Sequence, residues 1–489
     1  MFLIAAALFA SAVDEARQHR IAGRFEQAIT LYRQAIAENP DDIVAWEGVV
    51  RSLLANEQSP EALKMADEAL KHSPDTPEIQ VVKAMAAFRR GDLPTAEGAF
   101  KRALQLRPNY PSAIQGISAL YGCVSRFKTA QQLSRTAAHL LPDEPAYWMA
   151  LANATGSGPE HVGQLEKALT MLDPEAKQAR RLRVHIAADK ALADRKTDQL
   201  LSPYQPYQIK LEARQPPDTR FTIKAKFNGK HTIRMLVDTG ASGISVTRSF
   251  AKKAGLEMLG EETTELGGIG DRKKVPLRSA LAEHFSVGEL EFGNAVIDVV
   301  DSRDIGGSEG LIGTDVFERF LVELDFPHHT LSLEPFPGLT NAPDPDQPFD
   351  APSALAPDFN RFFRFGHLLL IPTSVNDEPY RMFLIDSGAG MNMVDPDVAR
   401  KSTNVSADSY SMIRGVQGAV KNVYRAERMR LRFANIQQDN LGTYSFDLDK
   451  TSDGSGIEIA GIIGMPALGQ LSVTIDYRNG AVRFQYRKK

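Results

Sequence analysis

Hydrophobic positions follow two different periods along the 489 residues. In the first 200 residues apolar side chains recur at helical spacing, and small or helix-terminating residues repeat every 34 positions. From about residue 217, apolar and polar residues alternate in short runs separated by Gly, Asn and Asp, which is typical of β-strands. The pattern predicts a helical first part and a β-rich second part. The residues that recur every 34 positions, called here the repeat positions, are Ala28, Ala62, Ala96 and Ala130; Ala35, Ala69, Ala103 and Ala137; and Pro40, Pro74, Pro108 and Pro142.

A pair of helices per unit explains this period. Small Ala residues let paired helices approach closely, and Pro ends the second helix because it cannot continue one. About four units span 14–144, and apolar periodicity through 160–198 indicates an atypical terminal unit that caps the stack. The pattern resembles the tetratricopeptide repeat. The resemblance implies either a docking surface for a peptide or protein partner or a passive scaffold, and the sequence leaves both open.

The β-rich part contains a hairpin and two linkers. Residues 220–237 alternate apolar and polar side chains across Asn228-Gly229, which is a strong hairpin signal. Proline appears in 199–217, where the helical period stops, and again repeatedly in 335–357. We expect both stretches to be linkers, and the second, 335–357, to be extended.

The second half of the β-rich part repeats the first half. The segment MLVDTGASGISV (235–246) returns as MFLIDSGAGMNMV (382–394), and Asp386 follows Asp238 by 148 positions. Asn228 and Asn376 have the same separation, and so do Thr247 and Asp395. Each residue of the latter pair can N-cap a short helix, over 248–255 and over 396–401.

Further landmarks lie downstream in each copy. Leu311-Ile312-Gly313 pairs with Ile462-Ile463-Gly464, and each of these glycines precedes an Asp, at 325 and 476, that we assign to a closing strand as a structural residue. Between the landmarks each copy has a Gly-rich hairpin candidate, 265–271 and 413–418. A single Asp-Thr-Gly indicates only a turn, but two related bends with matching landmarks indicate two similar β lobes.

Composition narrows the chemistry. The net charge of −4 offers no electrostatic footprint for nucleic acid. The single cysteine, Cys123, excludes an intrachain disulfide, and we expect it to be a small buried hydrophobe. The ten histidines show no metal-binding spacing, and His328-His329 is best explained as a solvated turn. We therefore expect neither a metal nor a cofactor.

The N-terminus carries an apolar run from Phe2 to Ala10 that leads to Ala10-Ser11-Ala12. Small residues after an apolar run fit a signal-peptidase site, although no Lys or Arg precedes Arg17. We expect a signal peptide over 1–12 and an exported protein, periplasmic or secreted, with no membrane span after signal removal. If the run instead begins a buried helix, the protein is cytoplasmic.

The paired segments resemble the aspartic peptidase superfamily, both retropepsin-like and pepsin-like, whose motif is apolar-apolar-Asp-Thr/Ser-Gly with apolar-apolar-Gly downstream. The resemblance covers roughly 217–489, and the whole chain looks like bacterial proteins that place tetratricopeptide repeats before a retropepsin-like region. It implies a cleft between two β lobes, one catalytic Asp from each lobe, and hairpin flaps over a peptide substrate. The flap candidates are Gly268, Ile269, Gly270, Gly415 and Val416.

The residues suit that chemistry. Two carboxylates held close, those of Asp238 and Asp386, cannot both ionise cheaply and therefore share a proton. The ionised group takes a proton from water, and the protonated group hydrogen bonds the scissile carbonyl. Gly240 and Gly388 let the backbone turn close to the carboxylates. By family analogy, Thr239 and Ser387 lock the two loops together.

Three features depart from the pepsin pattern. Gly390 stands where the first loop has Ser242, Ala241 and Ala389 stand where a hydroxyl residue is common, and neither flap candidate shows the pepsin-type Tyr. Without a hydroxyl donating to the carboxylate, the charged form is less stable and the carboxyl pKa is higher. We therefore expect a pH optimum nearer neutral than that of pepsin.

The sequence predicts a multidomain α + β protein with a helical tetratricopeptide solenoid (13–200), a retropepsin-like lobe 1 (217–337), a Pro-rich linker (338–360) and a retropepsin-like lobe 2 (361–489), the lobes forming a pepsin-like bilobal unit. We expect an aspartic endopeptidase whose repeats recruit substrate or partner. The alternative is a non-catalytic peptide-binding pseudopeptidase with a repeat docking module. Pairing of single lobes between two chains, as in retroviral dimers, also remains open.

Overall fold

The structure is a computed structural model that describes residues 2–72, 75–192, 195–260, 264–266, 269, 275–411, 413–415 and 418–487, with only the backbone described for 2–11 and 264–266. The chain divides into two compact units. The first comprises residues 1–190 with the short segments 348–350 and 456–458, and the second comprises the remaining residues. The first unit is helical and the second is β-rich. The predicted change from helical to β-rich structure is confirmed.

The helices of the first unit form consecutive antiparallel pairs. The alanines at the repeat positions lie on the second helix of the first four pairs and are buried. Proline at the first helical turn starts α4, α5, α6, α7, α9 and α10 in the list below, because its missing N–H needs no partner there. The helices are α1 (Phe2–Ile21), α2 (Phe25–Glu38), α3 (Ile43–Ala55), α4 (Ser59–Ala69), α5 (Pro77–Arg89), α6 (Leu93–Leu106), α7 (Pro111–Cys123), α8 (Phe127–Leu140), α9 (Pro145–Thr155), α10 (Pro159–Leu169) and α11 (Lys177–Leu192).

Two glycines set the spacing of the helix pairs. A Cβ on Gly48 in α3 would overlap the ring of Tyr32, and a Cβ on Gly116 in α7 would overlap the ring of Phe100. Each ring therefore lies directly on the backbone of the next helix. Cys123 is buried at the end of α7, where burial raises the pKa of its thiol to about 12. This agrees with its expected role as a small hydrophobe.

The first and last helix pairs of this unit contact each other. Arg20 of α1 and Glu144, the residue before α9, form two hydrogen bonds of 2.7 Å with both side chains buried. Beside them Arg51 lies 3.7 Å from Glu144 and 3.6 Å from Glu47. Gly23 packs against Ala176, since a Cβ on Gly23 would lie 3.2 Å from the Ala176 side chain. Arg20 and Arg51 thus both reach Glu144 from the other end of the repeat array, while Glu47 pairs with Arg51 within α3.

Lobe 1 is built from short strands and one short helix. The strands of residues 199–334 are β1 (Gln199–Leu200), β2 (Tyr207–Lys210), β3 (Glu212–Ala213), β4 (Phe221–Phe227), β5 (His231–Asp238), β6 (Ile244–Thr247), β7 (Glu257–Met258), β8 (Thr264–Leu266), β9 (Val275–Val287), β10 (Leu290–Val300), β11 (Gly310–Gly313), β12 (Leu321–Asp325) and β13 (Thr330–Glu334). The helix is α12 (Arg248–Ala254), and a 3₁₀ turn covers Thr314–Phe317.

The predicted hairpin is β4 and β5, which turn through Asn228 and Gly229 at positive φ. Thr247 caps the Phe250 N–H of α12. Within 199–217, where the helical period stops, the chain forms β1, β2 and β3, which pair with β10, β13 and β4. Their partners are distant in sequence, so local pattern could not reveal them.

Lobe 2 repeats this plan. Its strands are β14 (Asn360–Arg361), β15 (Phe363–Phe365), β16 (Leu368–Val375), β17 (Arg381–Ile385), β18 (Met393–Val394), β19 (Val405–Ala407), β20 (Arg414–Gly415), β21 (Gly418–Ala419), β22 (Tyr424–Phe433), β23 (Ile436–Ser445), β24 (Gly461–Ile463), β25 (Leu471–Asp476) and β26 (Ala481–Tyr486). Its helices are α13 (Pro396–Ala399), α14 (Asp449–Ser455) and α15 (Met465–Leu468), and Asp395 caps α13.

A sheet shared by the two lobes joins them. Among the described residues its order is β14-β26-β25-β12-β13-β2, and β12 of lobe 1 pairs antiparallel with β25 of lobe 2. These are the closing strands that contain Asp325 and Asp476. His328 donates to the Asp325 carboxylate at 2.9 Å within the turn that follows β12, in agreement with a turn rather than a metal site. The same aromatic and aliphatic core runs through both lobes.

Candidate active site

In each of the two similar lobes, one Asp lies at the end of a buried strand. Asp238 ends β5, which runs parallel to β11 and pairs Asp238 with Gly313. Asp386 directly follows β17, which runs parallel to β24, and its N–H donates to the Ile463 carbonyl at 3.0 Å. The apolar residues of these strands are buried, so the carboxylates leave rigid elements rather than mobile loops.

Four hydrogen bonds lock the two carboxylate loops together. The Thr239 hydroxyl donates to the Ile385 carbonyl at 2.8 Å, and the Ser387 hydroxyl donates to the Val237 carbonyl at 3.0 Å. Each hydroxyl also accepts the other residue's N–H, at 2.9 Å and 3.1 Å. Both side chains are buried. Each loop is therefore held by the strand of the opposite lobe.

The structure brings the two carboxyl groups into contact. A Cβ on Gly240 would lie within 3.3 Å of both groups, 3.0 Å from the carboxyl carbon of Asp386 and 3.3 Å from Oδ1 of Asp238. Asp238 also accepts the Gly240 N–H at 2.8 Å, and Asp386 accepts the Ala389 N–H at 2.9 Å. The pair therefore holds its geometry through the backbone of its own loops.

The glycines of both loops face this pair. A Cβ on Gly388 would overlap the Asp238 carboxylate, and a Cβ on Gly240 would lie 3.0 Å from the Asp386 carboxyl carbon. Only glycine lets the backbone of each loop approach the carboxylate of the other lobe this closely.

Burial raises the pKa of both carboxyls. For Asp386 repulsion from Asp238 and the hydrogen bond between them raise the pKa further, well above its usual range. For Asp238 the Gly240 N–H, and the nearby His367 and Arg220, partly oppose the effect of burial on the pKa. A pair of this kind titrates as one unit that retains a proton after the first ionisation.

Two side chains that the sequence reasoning missed support the loops differently in the two lobes. In lobe 1 Asp315 accepts the Ser242 hydroxyl at 2.8 Å and the Gly243 N–H at 2.9 Å. In lobe 2 Asn392 accepts the Gly464 N–H at 2.9 Å and donates to Gln438 and Asn440. The Leu-Ile-Gly-Thr-Asp sequence that ends at Asp315 is the signal that could have drawn attention to it.

The different support of the loop in lobe 2 explains why Gly390 stands where lobe 1 has Ser242. The position in lobe 2 that matches Asp315 by the 151-residue shift is Pro466, so a hydroxyl at 390 would have no carboxylate to bond. A Cβ on Gly390 would have no neighbour within 4 Å. The departure at Gly390 therefore accompanies a change of its partner and leaves the carboxylates in place.

The flap candidates meet at Ile269 and Gly415. A Cβ on Gly415 would overlap the backbone carbonyl of Ile269, so Ile269 of lobe 1 and Gly415 of lobe 2 lie in contact. Gly415 belongs to the small hairpin of β20 and β21. Gly268, Gly270 and Val416 lie outside the described residues. Within the described part of the chain, no cluster of three or more His, Cys, Asp or Glu residues could hold a metal ion.

Comparison of the sequence with known protein families finds a match for each part of the chain. The aspartyl protease family matches residues 223–316 and 371–467, one match in each lobe, and the tetratricopeptide repeat matches residues 50–111. Both lobes belong to the aspartyl protease family. The helical unit carries tetratricopeptide repeats. No curated protein matches the chain.

Solved structures resemble the two parts separately. A thermophilic TPR protein of Thermus thermophilus is 24% identical over 37% of this chain and 98% of that one, with a TM-score of 0.28. A retropepsin-like aspartic protease from Rickettsia conorii is 25% identical over 26% of this chain and 91% of that one, with a TM-score of 0.21. A TPR protein described as having an unusual peptide-binding site is 15% identical over 35% of this chain and 90% of that one, with a TM-score of 0.21.

Proposed function

We propose that this protein is an aspartic endopeptidase that hydrolyses peptide bonds with water activated between Asp238 and Asp386. The observation that carries the proposal is that the two carboxyl groups lie together against Gly240 and Gly388, in loops held by the reciprocal hydrogen bonds of Thr239 and Ser387. The family match of both lobes supports it.

The chemistry follows from one proton shared by two carboxyls. In the singly ionised pair, the carboxylate accepts a proton from a water molecule as the water oxygen attacks the scissile carbonyl carbon. The protonated carboxyl hydrogen bonds the carbonyl oxygen, on which negative charge develops. Collapse of the tetrahedral intermediate breaks the C–N bond, and the leaving nitrogen takes up a proton from the pair. Ile269 and Gly415, which are in contact, are proposed to cover the substrate.

Digestion of a denatured protein tests this function. Wild type, Asp238→Asn and Asp298→Asn are incubated with denatured casein between pH 3 and 7, with and without pepstatin. Asp298 is a matched control, because it is another carboxyl of lobe 1 whose pKa is raised, first by burial and then by Asp315. We expect pepstatin-sensitive cleavage by wild type and by Asp298→Asn, and none by Asp238→Asn. If all three are inert while peptides still bind, the protein is a peptide-binding pseudopeptidase instead.

The roles of the helical unit and the N-terminus are further proposals. We propose that the repeats recruit a protein substrate or partner, which pull-down with residues 13–200 deleted would test by loss of the captured protein. We also propose export, to the periplasm or outside the cell. N-terminal sequencing of the mature protein would show cleavage after Ala12 if export is right, and an intact start in the cytoplasm if it is wrong. No helix of the described residues is long and apolar enough to cross a membrane.

A further inference from the structure

The first turn of α8 is closed by residues from a distant part of the chain. Phe127, Lys128 and Thr129 form this turn, and the N–H groups of a first turn have no partner within their own helix. The Phe349 carbonyl accepts the Phe127 N–H at 2.9 Å and the Lys128 N–H at 3.4 Å. Asp350 Oδ1 accepts the Thr129 N–H at 2.9 Å across 221 positions of sequence. Two consecutive residues thus satisfy the three donors of the turn.

The contact holds a carboxylate as well as a backbone. The Thr129 hydroxyl donates to Asp350 Oδ2 at 2.6 Å, so one residue binds both carboxylate oxygens. Asp350 also forms an isolated antiparallel bridge with Arg126, as an added strand would. Residues 348–350 belong to the same compact unit as the helices. The helical unit therefore binds a short extended segment through its main chain and one acidic side chain, which is how many domains recognise peptides.

The two preceding helix pairs differ at the matching turn. By the 34-residue period Arg126 matches Asp92, which caps α6 by accepting the Thr95 N–H at 3.2 Å. A cation stands at this position before α8, and the matching N–H of Thr129 is bonded by Asp350 instead. In α4 the position of Thr129 is taken by Glu61, whose charge would repel a second carboxylate. Of these three turns, that of α8 suits an acidic segment from elsewhere.

We propose that the first turn of α8 is a docking site for an extended peptide segment with an internal Asp, that residues 348–350 fill it, and that a partner recruited at this turn must present such a segment. This inference rests on the proposed role of the repeats in recruitment and names the chemistry of the partner. Pro348 and Pro352 flank Phe349-Asp350, and prolines hold a segment extended at low entropic cost.

Occupation by the chain's own segment sets up a competition. A tethered segment acts at an effective concentration of about 1 mM, so a separate segment of equal affinity binds weakly while the tethered one is in place. Asp350→Ala removes the carboxylate of the tethered segment and leaves Thr129 and the rest of the turn unchanged. The variant therefore opens the site without altering it.

Fluorescence polarisation of a labelled peptide tests the site. The probe is fluorescein-labelled PDQPFDAPSAL, residues 345–355 of this sequence, titrated with the full chain. We expect Asp350→Ala to bind the probe about 10-fold or more tightly than wild type does. Adding Thr129→Val to Asp350→Ala should weaken binding by about 10-fold or more, because a hydroxyl that bonds a charged group is lost. Adding Thr95→Val instead is the matched control and should change binding by less than about 2-fold, since Asp92 closes that turn.

A second probe measures the need for the carboxylate. It carries Asn in place of Asp350, and Asp350→Ala should bind it about 10-fold or more weakly than the first probe. Equal binding of the two probes by Asp350→Ala would overturn the inference. Equal binding of the first probe by Asp350→Ala and wild type would also overturn it, and so would no binding at about 1 mM.

Amide hydrogen exchange supplies an arm that does not depend on the affinity of a probe. Exchange at Phe127, Lys128 and Thr129 should rise about 10-fold or more in Asp350→Ala, because these N–H groups lose their cover. Unchanged exchange would overturn the inference. Cleavage of casein enters neither arm, so an inert pair of carboxylates would refute the proposed peptidase and leave this result standing. If the probe binds but the deletion pull-down loses no protein, recruitment fails and the docking site remains.

Discussion

Gly388 and Gly390 lie two positions apart in the same loop, but their surroundings differ. A Cβ at 388 meets the carboxylate of Asp238, whereas a Cβ at 390 meets no atom within 4 Å. We therefore expect Gly388→Ala to lower kcat/KM by about 100-fold or more, because it displaces a carboxyl of the pair. Gly390→Ala in the same loop serves as the control, and it should stay within about 2-fold of wild type since nothing has to move. Equal losses in the two variants would show that the glycine contacts do not set the carboxylate spacing.

Asp298 gives a prediction about stability. Burial, and then the nearby Asp315, raise the pKa of Asp298 to about 6. A carboxyl whose folded pKa exceeds its unfolded value near 4 favours folding below pH 4, and this contribution is lost as the pH rises through about 6. Asp298→Asn should therefore match wild type in unfolding free energy near pH 4 and exceed it by about 2–3 kcal/mol near pH 7.5. Urea unfolding at the two pH values measures this, and a constant difference would contradict it.

Sequence reasoning identified some of these residues and missed others for a physical reason. Asp238 and Asp386 were visible because a duplicated motif repeats at a fixed shift. Asp315, Asn392 and Arg220 support the same loops, but their partners lie far away in sequence and differ between the lobes. Comparison of the two sequence copies detects residues that both copies share. It does not detect supporting residues that differ between the lobes.

At the scale of elements, the first and last helix pairs of the repeat unit depend on a buried ion pair. Glu144 is almost fully buried, and Arg51 and Arg20 hold its pKa below the ordinary value although burial acts in the opposite direction. Glu144→Gln leaves the buried guanidinium of Arg20 without its anion and leaves Arg51 with Glu47 alone, so we expect the helical unit to lose about 3–5 kcal/mol. Thermal unfolding followed by circular dichroism at 222 nm measures this.

Asp143 provides the control for this prediction. It is the neighbouring residue, and its ion pair with Arg17 is 3.4 Å long and exposed. Exposed pairs contribute little, so Asp143→Asn should cost at most about 1 kcal/mol. If the two variants unfold alike, the contact between the ends of the repeat array does not stabilise the unit.

Some elements could be predicted from the local sequence pattern, and others could not. The hairpin of β4 and β5 and the caps of α12 and α13 follow from the Asn-Gly turn, Thr247 and Asp395, whose effects reach only a few residues. The strands β1, β2 and β3 contain two to four residues and exist only through distant partners. A strand of two to four residues is too short to show a detectable alternation of apolar and polar residues.

At the scale of the whole molecule, one chain supplies both halves of the proposed site. The shared sheet pairs β12 with β25, and Thr239 and Ser387 tie the loops of the two lobes. The duplication predicted two similar lobes, but the pairing of their closing strands could not be read from either copy alone.

The same arrangement predicts the pH range of activity. Cleavage needs one proton on the pair, so activity rises as the pH passes the lower pKa and falls as it passes the upper one. Burial raises the pKa of both carboxyls. We therefore expect an optimum nearer neutral than that of pepsin, and a pH–rate profile that peaks below about 3 would contradict this.

Mixing of two single variants tests most directly whether Asp238 and Asp386 of one chain form one site. Asp238→Asn and Asp386→Asn are assayed on denatured casein separately and after mixing in equal amounts, with wild type as the reference. The account predicts that each variant is inert and that the mixture stays inert, because each site then lacks one of its own carboxylates. Substantial activity in either variant would show that the pair is not required, and recovery in the mixture would show that lobes of different chains form the site.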